Sequence, residues 1–230
     1  MWIDWLFIAV FAGAWPAFEN LFRLPHVKAA IAAQGSPRRI REYRLIMVLQ
    51  WSLVAIALAL VGFGGRSWAS VGLTLPHGAG LWWTIGIVVA LALLLRMQGR
   101  AATGTDAGRA AVSRQLAPLR WFLPANGPEL ANFRALSVTA GVCEEILYRG
   151  YLMAVLLPFG GLGVAVVVSS LLFGLAHSYQ GVGGAVKAGV LGALMAGMYV
   201  LTGSLLAPMI VHAMVDWSSG QIAADVPSTT

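Results

Sequence analysis

Apolar residues fill this chain in long blocks, separated by polar or glycine-rich intervals. A block of about 20 apolar residues has the length of a helix that crosses a bilayer. Seven blocks stand out: 2–22, 45–63, 81–97, 135–157, 162–178, 183–201 and 205–219. The longer polar intervals are 23–44, 64–80 and 98–134. Later connections are tight turns, Pro158-Phe159-Gly160-Gly161 and Thr202-Gly203-Ser204. The pattern predicts an all-α fold, a polytopic transmembrane helix bundle of about seven spans, with six to eight compatible with block length. Residues 1–230 are expected to form a single integral membrane domain. The first block carries Asp4 and Glu19 near its ends and Pro16 inside, where a kink is expected. Within 98–134, residues Asp106 to Leu116 predict a short interfacial helix with Asp106 near its N-cap.

Composition agrees with this reading and narrows it. The chain is 59% hydrophobic and 10% charged, whereas a soluble domain is nearer a quarter charged. Its spans leave no room for a separate soluble domain. The net charge of +6 invites a nucleic-acid partner, but its distribution argues against one. Six of the 15 Lys and Arg lie in 23–44 and six in 96–134, where they flank apolar blocks. That is the placement of topology determinants and anionic-lipid contacts. Both basic intervals are therefore expected in the cytoplasm, with the N-terminus outside and the C-terminus inside. The N-terminus lacks a basic leader and an obvious cleavage site, so the first block reads as an uncleaved span. The single Cys143 forms no internal disulfide. The stretch 224–230 carries no lipidation cysteine.

The few ionisable residues inside the later blocks fall at similar depth. Glu144 and Glu145 lie in the first half of the fourth span, and His177 ends the fifth. His212 lies near the middle of the seventh, and Asp216 one turn further along. Three helices thus bring these residues into the cytoplasmic half of the membrane, where charged groups are costly and usually functional. Structural roles compete for some of them. Glu145 and Arg149 at i,i+4 suit an ion pair on one helix face. His212 and Asp216 suit a hydrogen bond to each other, and Phe173 suits packing. Pro208 removes a helix hydrogen bond upstream of His212 and either opens or bends the helix there. Glu144, about 100° round the helix from Glu145, is the best candidate for a general base. Tyr148 is assigned no role. In the sixth block, Ala188 with Gly192, Gly189 with Ala193 and Ala193 with Gly197 form small-residue pairs suited to close helix packing. A proton-coupled transporter would use similar carboxylates as a relay, but matching broken helices in two halves are absent from the sequence.

Glu-Glu-x-x-x-Arg at 144–149, Phe-x-x-x-His at 173–177 and His-x-x-x-Asp at 212–216 follow one another on successive apolar spans. In that order they resemble the CPBP family of CAAX proteases and bacteriocin-processing or immunity proteins, also called the Abi family. The resemblance covers about 130–220 as a catalytic core with three motifs; residues 1–129 match only as extra membrane helices. It implies an intramembrane endopeptidase, CAAX-protease-like, that hydrolyses a peptide bond of a membrane-associated protein or peptide. By position, Glu144 would activate a water and His177 would help hold it. His212 and Asp216 would stabilise the oxyanion or complete the polar cage, while Glu145 and Arg149 would brace the first motif. The family accepts Asn or Asp at the last position of its third motif. Asp216 donates to an oxyanion only when protonated; orienting His212 or ligating a metal suits it equally. Glu144, His177, His212 and Asp216 form a plausible set for zinc or another divalent metal, and a metal-free, glutamate-activated water is as compatible. The resemblance also implies a bilayer, of bacterial inner (plasma) membrane type, and a membrane-associated substrate as partners, with no nucleic acid. A non-catalytic CPBP-like scaffold or bacteriocin-immunity protein is the alternative.

Overall fold

A computed structural model describes residues 2–226. All regular structure among them is helical. The first helix, α1 (Trp2–Gln34), has 33 residues and is about 50 Å long at 1.5 Å per residue. That exceeds the roughly 30 Å hydrocarbon core, so α1 continues past it. Pro16 lies between two π-helical turns, Ala9–Ala14 and Glu19–Arg23, and the helix runs through it.

The basic interval 23–44, which separates the first two apolar blocks, is helical rather than a loop. It completes α1 and opens α2 (Ser36–Phe63), with only Gly35 breaking the run at φ 65°. Glycine adopts that left-handed backbone without steric penalty. Carboxylates neutralise three of the six cations in this interval. Arg23 pairs with Glu19 and Glu42, Arg38 with Glu42 at 3.0 Å, and Arg39 with Glu129 at 2.5 Å. Glu42 and Glu129 are both buried.

Helix α3 spans Ala79–Thr103 and α4 spans Asp106–Leu116. The cap of α4 is Thr105, one residue before the expected position; its side chain accepts from the Gly108 N–H. A 50-residue helical stretch then runs from Gly127 to Ala176. It reverses at Gly161 (φ 70°, ψ −174°), dividing into α5 (127–160) and α6 (162–176). The chain ends with α7 (Val182–Thr202) and α8 (Leu206–Asp225). Five helical stretches are long and apolar enough to cross a membrane, counting 127–176 as one. The Gly161 reversal makes two legs of that one, and α8 is set apart by its polar His212, Asp216, Gln221 and Asp225. The protein is an all-α, integral membrane helix bundle.

Helix α5 is central, packed against α2 and α8, while α6 packs on α7 and α3 on α8. Small residues set the closest approaches. A Cβ on Gly141 of α5 would lie 2.7 Å from the Ala213 amide nitrogen and 2.8 Å from the Met209 carbonyl oxygen of α8. A Cβ on Gly174 of α6 would lie 2.8 Å from the Ala185 carbonyl oxygen of α7, so the small-residue face of α7 does meet a neighbour. The interior is built from Phe7, Phe11, Val54, Ile146, Tyr151 and Phe173. Large apolar side chains such as Trp82, Leu93 and Leu171 point outward, as lipid-facing residues do. A second cluster (Tyr43, Leu123, Phe133, Leu136, Ala223) closes the end that carries the basic residues. There the segment 117–126 is held by Arg39 Nε donating to the Trp121 carbonyl at 3.0 Å, and by Arg120 Nη1 donating to the Ala223 carbonyl at 2.8 Å.

Candidate functional site

The three motifs converge where α5, the end of α6 and α8 meet. Glu145 opens a π-helical stretch, Glu145–Leu152, immediately after Glu144. Such wide turns occur often at functional sites, since they displace side chains and free carbonyls from the helix ladder. Here the Tyr148 carbonyl accepts from Ser169 Oγ of α6 at 2.9 Å, tying the two legs together beside the site.

Glu145 is fully buried. Its Oε1 accepts from Arg149 Nη1 at 2.8 Å and from His212 Nδ1 at 2.8 Å. The expected i,i+4 pair therefore forms, and the same oxygen also orients His212. Asp216 is not the orienting partner: its Oδ2 lies 3.7 Å from His212 Nε2, beyond hydrogen-bond range. Nor does Pro208 open α8 near His212. It is the third residue of α8, in the first turn, where its missing N–H has no helical partner to lose.

His177 ends α6, with Nδ1 2.8 Å from the Phe173 carbonyl oxygen. Carbonyls and carboxylates ionised at neutral pH only accept, so both histidines carry a proton on Nδ1. Each turns Nε2 toward Glu144. Glu144 Oε2 lies 3.9 Å from His177 Nε2 and 3.9 Å from His212 Nε2. This oxygen is itself buried and has no hydrogen-bond partner among the described residues. The other carboxylate oxygen accepts from Gln50 Nε2 of α2 at 2.7 Å. Gln50 escaped the sequence reading. Its signal was slight, an amide with Ser52 in the otherwise apolar block 45–63.

Phe173 is a platform under the cluster. The Arg149 guanidinium lies 4.2 Å from its ring centre, and the His177 ring 4.5 Å away. Edge contacts from Tyr148 at 5.1 Å and His212 at 5.9 Å complete the enclosure. Tyr148 thus walls the site, and Tyr179 stands 5.9 Å from the far side of His177. Side-chain exposure rises from 0% at Glu145 and 10% at His212 to 17% at Glu144 and 39% at Asp216. The structural partners are inside and the reactive candidates face the opening.

Two imidazoles and two carboxylates are chemically suited to zinc. Ligands about 2.0–2.2 Å from a tetrahedral ion are only about 3.3–3.6 Å apart, whereas these atoms are 3.7–3.9 Å apart. No group of three or more His, Cys, Asp or Glu among the described residues meets the geometry for a metal ion. The same spacing accommodates a hydrogen-bonded water, each atom about 2.8 Å from its oxygen.

Residues 126–218 match the family model described as type II CAAX prenyl endopeptidase Rce1-like. That segment, 93 of the 230 residues, is similar to the Rce1-like family. The CPBP resemblance is borne out over that segment, which holds all three motifs. No curated protein and no solved structure matches the chain significantly. The Rce1-like segment begins one residue before α5 and ends within α8, so it contains the convergence just described, apart from Gln50. The likeness points to a protease housed in a membrane bundle.

Proposed function

We propose that this protein is an intramembrane endopeptidase of the CAAX-protease-like type, using a glutamate-activated water. The observation that carries the reading is Glu144 Oε2, buried, without a hydrogen-bond partner among the described residues, and 3.9 Å from two imidazole nitrogens. A water there donates one hydrogen to Glu144 Oε2 and the other to His177 Nε2, leaving a lone pair for a substrate carbonyl. As the oxygen–carbon bond forms, the first proton passes to Glu144. His212, with Nδ1 committed to Glu145, carries a proton on Nε2 only as imidazolium. In that form it donates to the developing oxyanion, with Asp216 as a charge partner. Collapse breaks the carbon–nitrogen bond, and Glu144 returns its proton to the leaving amine.

The substrate class is a membrane-associated protein or peptide. Residues 1–230 act as one membrane domain, with 130–220 as its catalytic core. The basic hairpin around Gly35 and the segment 98–134 lie in the cytoplasm, as positive segments resist translocation. The donor spacing supports a metal-free mechanism.

The test is cleavage of a membrane-associated peptide by the purified, lipid-reconstituted protein. Glu144→Gln should lower kcat by about 10²–10⁴-fold, the usual contribution of a general base, and His177→Ala should also lose activity. Extensive chelation should leave the wild-type rate unchanged, and metal analysis should find no stoichiometric ion. Wild-type rates in both variants would remove these residues from the chemistry. Loss of activity on chelation, restored by zinc, would replace the metal-free mechanism with a metal-dependent one.

A further inference from the structure

A second cavity lies on the opposite side of α8 from the candidate site. It has a volume of about 880 Å³ and runs between α3, α5 and α8. Its apolar wall includes Leu95, Val138, Ile210 and Trp217, and its mouth carries Arg96 and Arg100. On α8 the residues lining it fall roughly half a turn away from His212 and Asp216 at 100° per residue. The helix itself therefore separates this groove from Glu144.

Three features define what fits there. The wall is apolar and opens beside α3, the least buried of the candidate spans, so its surroundings are acyl chains. Arg96 and Arg100 are one turn apart and exposed, and no carboxylate among the described residues is within ion-pair distance of either. Asp225 also lines the groove, but its carboxylate accepts from the Gln221 amide at 3.0 Å. Finally, Arg96 and Arg100 are 17 and 21 residues from the start of α3. At 1.5 Å per residue that is about 26–32 Å along the helix, the level of the headgroups. Arginine pairs at the cytoplasmic edge of an interhelical groove bind anionic headgroups.

We propose that this groove holds one anionic phospholipid, with an acyl chain against Leu95, Ile210 and Trp217 and the phosphate between Arg96 and Arg100. The lipid packs on the back of the helix that carries His212, so it braces that helix without entering the site.

Native mass spectrometry of the full chain from detergent tests this independently of any protease activity. Wild type, offered phosphatidylglycerol and phosphatidylcholine of identical chains, should retain one phosphatidylglycerol, preferred about 30-fold if each arginine contributes as a basic residue does at an anionic surface. Arg96→Gln/Arg100→Gln should bind both lipids equally. Gly99→Leu lies on the groove wall, where an added Cβ meets nothing within 4 Å. It keeps both arginines and should lose retention of both lipids. Equal retention of the two lipids by wild type would overturn the proposal. So would an unchanged preference in the double variant, displacement by millimolar inorganic phosphate alone, or a stable dimer that shields α3.

Discussion

Glu145 does more at this site than its place in an i,i+4 pair implies. One fully buried oxygen accepts from both Arg149 and His212, so it couples fold and site. Removing it by Glu145→Ala leaves the Arg149 guanidinium buried and uncompensated, a loss of about 3–5 kcal/mol. The double variant Glu145→Ala/Arg149→Met should recover most of that stability, because no lone charge remains. It should not recover cleavage, because His212 Nδ1 still lacks its acceptor. Thermal unfolding in detergent and a cleavage assay on the same samples separate the two effects; activity restored along with stability would show that Glu145 has no orienting role. Gln50 acts on the neighbouring carboxylate. Replacing it with Leu removes a hydrogen bond to an ionised group, worth about 1.5–3 kcal/mol, so kcat should fall roughly tenfold or more with KM little changed. A wild-type kcat in Gln50→Leu would mean that Glu144 needs no support from α2. The pair at 144 and 145, the two histidines and Asp216 were legible because ionisable residues in apolar blocks are rare. Gln50 was not, since an amide 94 residues from its partner carries no spacing signal.

Among the elements, α5 and α8 do most to set the site, and they meet through a glycine. Gly141 is three residues before Glu144, and any larger residue there strikes α8 backbone rather than a movable side chain. Gly141→Leu should cost about 1–3 kcal/mol or more through overpacking and abolish cleavage, by moving α8 with His212 away from Glu144. Gly192→Ala is a milder probe of the α7 side. Its Cβ would lie 2.8 Å from Arg149 Nη2, the end of a long side chain. It should lower stability modestly and leave measurable activity. Equal activity in Gly141→Leu and wild type would show that the α5–α8 distance does not control the chemistry. The helices themselves were plain from the apolar blocks. What the blocks did not convey was the helical state of 23–44, in which Arg23, Arg38 and Arg39 are balanced by Glu19, Glu42 and Glu129, the last far away in sequence. The π-helical stretch at 145–152 has no sequence pattern either; it lies against α6, where its Tyr148 carbonyl accepts from Ser169 Oγ.

At the scale of the whole molecule, the charge distribution predicts an orientation, and engineered cysteines make it measurable. Twelve of 15 Lys and Arg flank the hairpin at Gly35 and the 98–134 segment. If both lie in the cytoplasm, the opposite end of the bundle, with the 64–78 connection, faces outward. Cys143 is buried and should resist a membrane-impermeant maleimide. Gln34 and His77 are both exposed, at opposite ends of α2 and its following connection. Neither side chain forms a hydrogen bond or ion pair among the described residues, so a cysteine at either position leaves the packing intact. His77→Cys should label in intact cells made permeable only at the outer surface. Gln34→Cys should label only after lysis. The reverse pattern would invert the bundle and place the opening beside Asp216 on the outer side, which would exclude cytoplasmic peptides as substrates. Labelling of both positions in intact cells would show that the basic hairpin is not retained inside. The expected pattern would support the proposed entry of substrates from the cytoplasmic face, on whose side Asp216, the most exposed member of the cluster, would then lie.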